Sequence, residues 1–221
     1  MRGVIFANGR YEEPGFYQDQ LRSDDFIVGV NGGADFLRQI GVIPQLIVGD
    51  LDSIDPETIQ SFEAHGVEIA RYPTEKDQVD TEIAIEQLLQ RNLSEVVLFG
   101  AIGDRFDHTL ANIDLLKLPL ERGLPARIVN LRNEIRLVDR FTRISGEIGD
   151  LVSLLPFTDR VVGITLTGFK YPLEESELER GNTLGISNEL VRRTATIDVK
   201  QGVLLVVRIR GKRSGEEEGL T

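Results

Sequence analysis

The sequence has no cysteine, which excludes disulfides and thiolate metal sites. It has only two histidines, His65 and His108, and this argues against a multi-histidine zinc centre. A metal would therefore have to be a hard cation held by oxygen, which favours Mg²⁺. Basic residues are also in short supply: 25 Lys and Arg face 36 Asp and Glu, for a net charge of −11. A protein that grips a nucleic-acid backbone needs a basic face, so no nucleic-acid partner is expected. No apolar run approaches the length of a membrane span. Met1-Arg2-Gly3 leads straight into a strand-like segment, without the pattern of a signal peptide. The expectation is a soluble, cytoplasmic protein with no membrane partner.

The 221 residues suffice for one large or two small domains and a sizeable core. Strand-like and helix-like segments alternate through the first 131 residues. Val4–Ala7, Phe26–Val30, Leu46–Val48, Val67–Ala70, Val96–Gly100 and Ala126–Asn130 read as strands. Between them, Phe36-Leu37 with Ile40, the run from Pro56 to His65, the series Val79, Ile83, Ile85, Leu88 and Leu89, and the series Leu110, Ile113, Leu115 and Leu116 read as helices. This pattern predicts an α/β domain over residues 1–131, a layered, mostly parallel sheet with helices on both faces. From about residue 132 helical periodicity almost vanishes. Short strand-like runs separated by turns predict an all-β sandwich over 132–211. The charged, glycine-containing end, 212–221, reads as a disordered tail.

Acids gather where strands run into helices. Asp50 and Asp52 follow Leu46–Gly49, and Asp55-Pro56-Glu57 then marks a helix start. Asp77 fits an N-cap, with Asp80 in the first turn at the positive end of the helix dipole. Gly103-Asp104-Arg105-Phe106-Asp107-His108 follows another apolar strand. In a parallel sheet these junctions share one edge, where ligands bind. Five carboxylates there (Asp50, Asp52, Asp77, Asp80 and Asp107) repel one another unless cations intervene. Mg²⁺ bound through one or two carboxylates plus substrate phosphates resolves that conflict. Any single acid has a plainer reading as a solvated side chain or a helix cap. Arg105 suits either a phosphate clamp or a salt bridge to Asp104 or Asp107. Lys76 suits either a phosphate contact or a pair with Asp77 or Glu75. His108 suits a ligand contact, a bond to Asp107 or a helix cap. Asn31-Gly32-Gly33 is either a backbone that approaches a ligand closely or a tight strand-to-helix turn.

Taken together and in order, several segments resemble the thiamin pyrophosphokinase family. They are Asn31-Gly32-Gly33-Ala34-Asp35, Gly49-Asp50-Leu51-Asp52-Ser53, Lys76–Glu82, Gly103–His108 with Leu110-Ala111-Asn112, and Gly185-Ile186-Ser187-Asn188-Glu189. Asp104 stands where the family often has glycine, and Val79 where it often has threonine. The resemblance implies an N-terminal catalytic domain, a C-terminal β-sandwich, and a homodimer with thiamin in a cleft at the subunit interface. It implies transfer of a diphosphoryl group from ATP to the thiamin hydroxyl, giving AMP and thiamin diphosphate. On this basis Asp50, Asp52 and Asp77 are expected at Mg²⁺. Asp80 is expected at the thiamin hydroxyl or aminopyrimidine and as the candidate base. Arg105 and Lys76 are expected to stabilise charge on the migrating group. The nucleotide side is expected to comprise Asn31, Gly32, Gly33, Arg105, Asp107, His108 and Asn112. Ser187 and Asn188 are expected at the pyrimidine, although as residues alone they read as a polar turn. The alternatives are a pyrophosphokinase acting on a hydroxymethyl-pterin, a non-catalytic nucleotide- or thiamin-binding regulator, and a metal-dependent phosphohydrolase.

Overall fold

The computed structural model describes residues 1–73 and 75–211, so the expected tail lies outside the described residues. The chain divides into two compact units, Met1–Leu131 and Arg132–Thr221. In the first unit the strands are β1 (Gly3–Phe6), β2 (Phe26–Val30), β3 (Leu46–Gly49), β4 (Glu68–Arg71), β5 (Val96–Phe99) and β6 (Ala126–Val129). The helices are α1 (Pro14–Gln20), α2 (Gly33–Gln39), α3 (Pro56–Ala64), α4 (Asp80–Leu89), α5 (Phe106–Leu115) and α6 (Lys117–Glu121). The strands lie in the order β6-β5-β1-β2-β3-β4, and every pairing among them is parallel.

Parallel strands covered on both faces read as unbroken apolar runs. β1, β3 and β5 are accordingly buried at every position. Alternate residues of a strand point to opposite faces. Val4 and Phe6 enter a cluster with Phe36 and Leu37 of α2 and Phe62 of α3. Gly3 faces the other way, where an added Cβ would lie 2.8 Å from Leu88 of α4. Helices therefore cover both faces, as the alternation in sequence predicts.

Two glycines let α2 approach the end of β1. A Cβ on Gly33 would fall 1.9 Å from the Phe6 carbonyl oxygen, and one on Gly32 would fall 2.1 Å from Asn8 Oδ1. Helix α3 starts as its sequence predicts: Asp55 caps it by accepting from the Glu57 N–H at 2.8 Å, with Pro56 in the first turn. Helix α4 starts later than predicted. Val79 is the N-cap and is still extended (φ −77°, ψ 151°), so Asp80 rather than Asp77 opens the helix. The β-branched valine favours that extended backbone. Helix α1 has no apolar period to announce it, since Tyr17 is its only buried residue.

The second unit contains β7 (Asn133–Val138), β8 (Thr142–Ser145), β9 (Leu151–Pro156), β10 (Arg160–Thr167), β11 (Ser176–Glu179), β12 (Asn188–Glu189), β13 (Thr194–Asp198) and β14 (Leu204–Ile209). Neighbours in the order β12-β9-β14-β7 pair antiparallel, as do those in the order β11-β10-β13-β8. Val152, Leu154, Leu204 and Val206 from the first group meet Ile144, Val161, Ile164 and Ile197 from the second in one apolar core. This is a sandwich, and no helix occurs among its described residues. Arg208 is buried with its guanidinium 2.8 Å from Glu134 and 2.9 Å from Asp150. A buried guanidinium is tolerated because it is paired on both sides.

The Gly33 contact has a direct consequence for stability. Gly33→Ala should lower stability by about 1–3 kcal/mol, because backbone must move to admit the methyl group. Thermal or urea denaturation reads this, and a wild-type midpoint would mean that α2 is not seated on β1 at this point.

Candidate active site

The strand order reverses between β1 and β5. From β1 the chain proceeds outward through β2, β3 and β4, whereas from β5 it proceeds the other way to β6. Loops leaving two adjacent strands in opposite directions open a crevice beyond their C-terminal ends. A cavity of about 740 Å³ lies there. It is lined by Ala7–Arg10 after β1, Asn31 after β2, Asp50 after β3 and parts of Gly100–Arg105 after β5, with Lys76 and Gln78–Thr81 at the entry to α4 and Asp107, His108 and Asn112 on α5.

Asn31 and Asp80 connect the two sides of this cavity. Asn31 adopts a left-handed backbone (φ 47°), which asparagine tolerates better than most residues. Its Nδ2 donates to Asp80 Oδ2 at 2.8 Å. Gly49 makes room for that amide, because a Cβ there would fall 1.7 Å from Asn31 Oδ1. Lys76 Nζ stands 2.8 Å from Asp80 Oδ1 and donates to the Pro73 carbonyl at 2.9 Å. The Lys76–Asp80 contact is an ion pair. Asp80 Oδ1 faces the Lys76 ammonium, and Asn31 Oδ1 is a buried oxygen with no hydrogen-bond donor.

Asp50 is half-buried on the cavity and accepts the Asp52 N–H at 3.3 Å. Asp52 and Asp77 are exposed and do not line the cavity. Neither do Gly32 and Gly33, whose contacts are with β1 and Asn8. Among the described residues no three acids or histidines gather into a ready-made metal cage. A hard cation held by one or two carboxylates plus ligand phosphates still fits, since the buried donors here are oxygens.

Arg105 forms the salt bridge that its sequence context allowed. Its Nε and one terminal nitrogen lie 3.2 and 2.6 Å from the two Asp107 oxygens. The hydrogen bonds from Arg105 hold the Asp107 carboxyl down at about 2, against an ordinary value of 3.8. Both side chains are largely exposed, so the pair is weakly held and the guanidinium can exchange partners. His108 lines the cavity. Asn112 is buried, and its amide donates to the Ala101 carbonyl at 2.8 Å, fixing the loop after β5. Asn8, Arg10 and Gln78 also line the cavity and were not singled out in the sequence. The Asn8-Gly9 turn at the end of β1 was the available indication of the first two.

In the second unit, the Asn188 side chain binds backbone. It donates to the Tyr171 carbonyl at 2.7 Å and accepts from the Tyr171 and Glu189 N–H groups at 3.1 and 2.9 Å. Ser187 has a left-handed backbone (φ 58°) and an exposed side chain, and its N–H donates to Ser153 Oγ at 3.1 Å. The polar-turn reading describes this segment well, and Ser187 is its outward-facing polar member, beside the exposed Ile186.

Asp107 offers a test of the local electrostatics. Its carboxyl should titrate near 2 by ¹³C NMR, with the charged pair intact above that pH and lost as pH falls through it. In Arg105→Gln the midpoint should rise towards 3.8, and an unchanged midpoint would show that Arg105 is not what lowers it.

Comparison with known proteins matches both units of the chain. Residues 17–128 match the family model "Thiamin pyrophosphokinase, catalytic domain", and residues 140–204 match "Thiamin pyrophosphokinase, vitamin B1 binding domain". The thiamine pyrophosphokinase of Bacillus subtilis is 33% identical over 183 residues, covering 82% of this chain and 86% of the relative. A crystal structure of thiamine pyrophosphokinase from Bacillus subtilis superposes with a TM-score of 0.88 at 28% identity, over 96% of this chain and 100% of that one. The thiamin pyrophosphokinase of Geobacillus thermodenitrificans gives 0.83 at 32% identity, over 96% and 98%. With both of its units matched in order along the sequence, the chain belongs to the thiamin pyrophosphokinase family.

Proposed function

We propose that the protein transfers the diphosphoryl group of ATP to the hydroxyl of thiamin, giving thiamin diphosphate and AMP. The observation that carries this reading is the cavity at the β1/β5 reversal, which brings Asp50, Lys76, Asp80 and Arg105 together in a chain matched by this family in both units. A pterin acceptor is not favoured, because the vitamin B1 binding match spans Gly185–Glu189.

The thiamin hydroxyl oxygen bonds to the β-phosphorus of ATP while the bond from that phosphorus to the α,β-bridging oxygen breaks. AMP leaves with the bonding pair, and the hydroxyl gives up its proton. Such transfers depend on positioning and charge neutralisation more than on covalent help. Asp80 is the assigned proton acceptor and orients the hydroxyl, held by Asn31 on one oxygen and facing Lys76 on the other. Lys76 and Arg105 supply positive charge to the migrating group, with Arg105 turning from Asp107 to phosphate. Asn31, His108 and Asn112 shape the nucleotide side with Asp107. Ser187 is the second unit's contact for thiamin. A divalent cation, Mg²⁺ in this reading, offsets the triphosphate charge when bound. Asp50 would hold it from the cavity lining, with Asp52 and Asp77 acting from the adjoining exposed loops.

Among the described residues no helix is long and apolar enough to cross a membrane. Cytoplasmic location and a homodimer with its active site at the subunit interface belong to the same proposal. Phe106 and Leu110, one turn apart on α5, leave apolar surface exposed for a partner.

Purified protein incubated with ATP, Mg²⁺ and thiamin should form AMP and thiamin diphosphate in equal amounts. ADP with thiamin monophosphate would overturn the β-phosphorus attack, and ATP hydrolysis without thiamin would identify a phosphohydrolase. Asp80→Asn should lower kcat by roughly 10²–10⁴, the usual contribution of a positioned acid or base, with little change in thermal midpoint. Near-normal kcat would remove Asp80 from the proton-transfer role.

A further inference from the structure

Tyr11 lies outside the cavity lining but touches both loops at its centre. Its hydroxyl donates to the Ala7 carbonyl at 2.6 Å, where the chain leaves β1. The same hydroxyl packs on the exit of β5, since a Cβ on Gly100 would fall 2.2 Å from it. Gly100 has φ +62°, a left-handed backbone suited to glycine, so chain direction and side-chain space both require glycine there. The Tyr11 ring is fixed from behind. It stacks on Phe36 with centroids 3.8 Å apart and planes 7° apart, and Tyr17 meets it edge-on at 5.1 Å. Beyond the hydroxyl the two loops stay in close contact. Arg10 N–H donates to the Ile102 carbonyl at 2.9 Å, and a Cβ on Gly9 would fall 2.2 Å from the Gly100 carbonyl oxygen.

We infer that Tyr11 is a positioning residue for nucleotide binding: its hydroxyl anchors the β1 exit through its bond to Ala7 and packs on the β5 exit at Gly100, and so sets the gap between the two loops that receive the nucleoside triphosphate. The inference rests on the reading of this cavity as the ATP site. Parallel strands β1 and β5 are held by ladder hydrogen bonds only as far as Phe6 and Phe99, with one further bond from Ala7 N–H to the Phe99 carbonyl. Past that point the regular ladder ends, and the Arg10–Ile102 bond is the next backbone link between the two loops. The Ala7 carbonyl points to a side-chain donor, and Tyr11 supplies it. Burial pushes the phenol well above its ordinary value, so the hydroxyl stays protonated and able to donate. Without it the carbonyl loses a partner and a gap opens beside Gly100, while the stacked ring can remain.

Tyr11→Phe isolates the hydroxyl, because phenylalanine keeps the stack on Phe36. With Mg²⁺ present, KM for ATP should rise about three- to tenfold, the range expected for one lost hydrogen bond. KM for thiamin and kcat at saturating ATP should move less than twofold, and amides of Asn8–Arg10 should exchange hydrogen faster. Tyr17→Phe is the control, since it removes a neighbouring hydroxyl that bonds neither Ala7 nor the Gly100 turn, and should leave KM for ATP unchanged. An unchanged KM for ATP in Tyr11→Phe would overturn the inference. So would an equal rise in Tyr17→Phe, or a rise in both substrate KM values with a lower thermal midpoint, since either would indicate general loosening of the aromatic cluster. If the wild-type protein itself fails to use ATP, the proposed activity falls. Amide exchange at Asn8–Arg10 then still decides whether the hydroxyl holds the loop.

Discussion

In a sheet whose strands all run parallel, every connection must cross a face, and every strand ends on the same edge. The first unit obeys this constraint through β1–β6, and the placement of its polar residues follows. Asn8, Asn31 and Asp50 follow β1, β2 and β3, and the Gly103–His108 stretch follows β5. Distant parts of the sequence therefore supply one cavity without any of them leaving its own strand-to-helix junction. The reversal of strand order between β1 and β5 then decides where along that edge a ligand has room.

Close backbone packing maintains the edge. Gly33 permits α2 to reach Phe6, Gly49 clears space for Asn31, and Gly100 clears space for Tyr11. Each glycine is needed because a neighbouring atom already occupies the volume of its missing side chain. The charged groups fall into two kinds on this frame. Lys76 and Asp80 are mostly enclosed, with side chains 16% and 15% exposed, whereas Arg105 and Asp107 are 70% and 64% exposed. An enclosed pair interacts strongly and is held in place, while an exposed pair is screened and exchanges readily. A fixed acceptor for the incoming hydroxyl and a movable cation for phosphate suit the proposed transfer.

The second unit meets different demands. Its two sheets face one another through aliphatic side chains, so alternation in the strands is what the fold needs. Its buried charges, Arg208 with Glu134 and Asp150, pair with one another within the domain. The Gly185–Glu189 stretch shows how a sequence pattern can serve structure and function together. Asn188 is committed to backbone at Tyr171, and a Cβ on Gly185 would lie 2.3 Å from the Leu154 carbonyl oxygen. Ser187, exposed at a left-handed position beside the exposed Ile186, is the polar side chain that projects outward from it.

The sequence by itself determined the α/β unit, the β-sandwich and the edge on which the acids gather. Buried parallel strands must be continuously apolar, helices must carry apolar residues at helical spacing, and both patterns are local. It did not disclose α1, which buries only Tyr17, or the short polar strands β8, β11 and β12, whose residues carry little apolar alternation. It placed the start of α4 at Asp77, because capping preference is local, whereas the extended backbone at Val79 delays the helix to Asp80. Only the tertiary structure decided which polar residues face one another. The bond between Asn31 and Asp80 spans 49 positions, and Tyr11 meets Gly100 across 89; neither proximity leaves a local periodic trace. Likewise Asp50 faces the cavity while Asp52 does not, and Gly32 and Gly33 serve helix packing while Asn31 beside them reaches the site. Residue type sets what a side chain can do, but the direction it points is fixed by backbone geometry and by the neighbours that fill the remaining space.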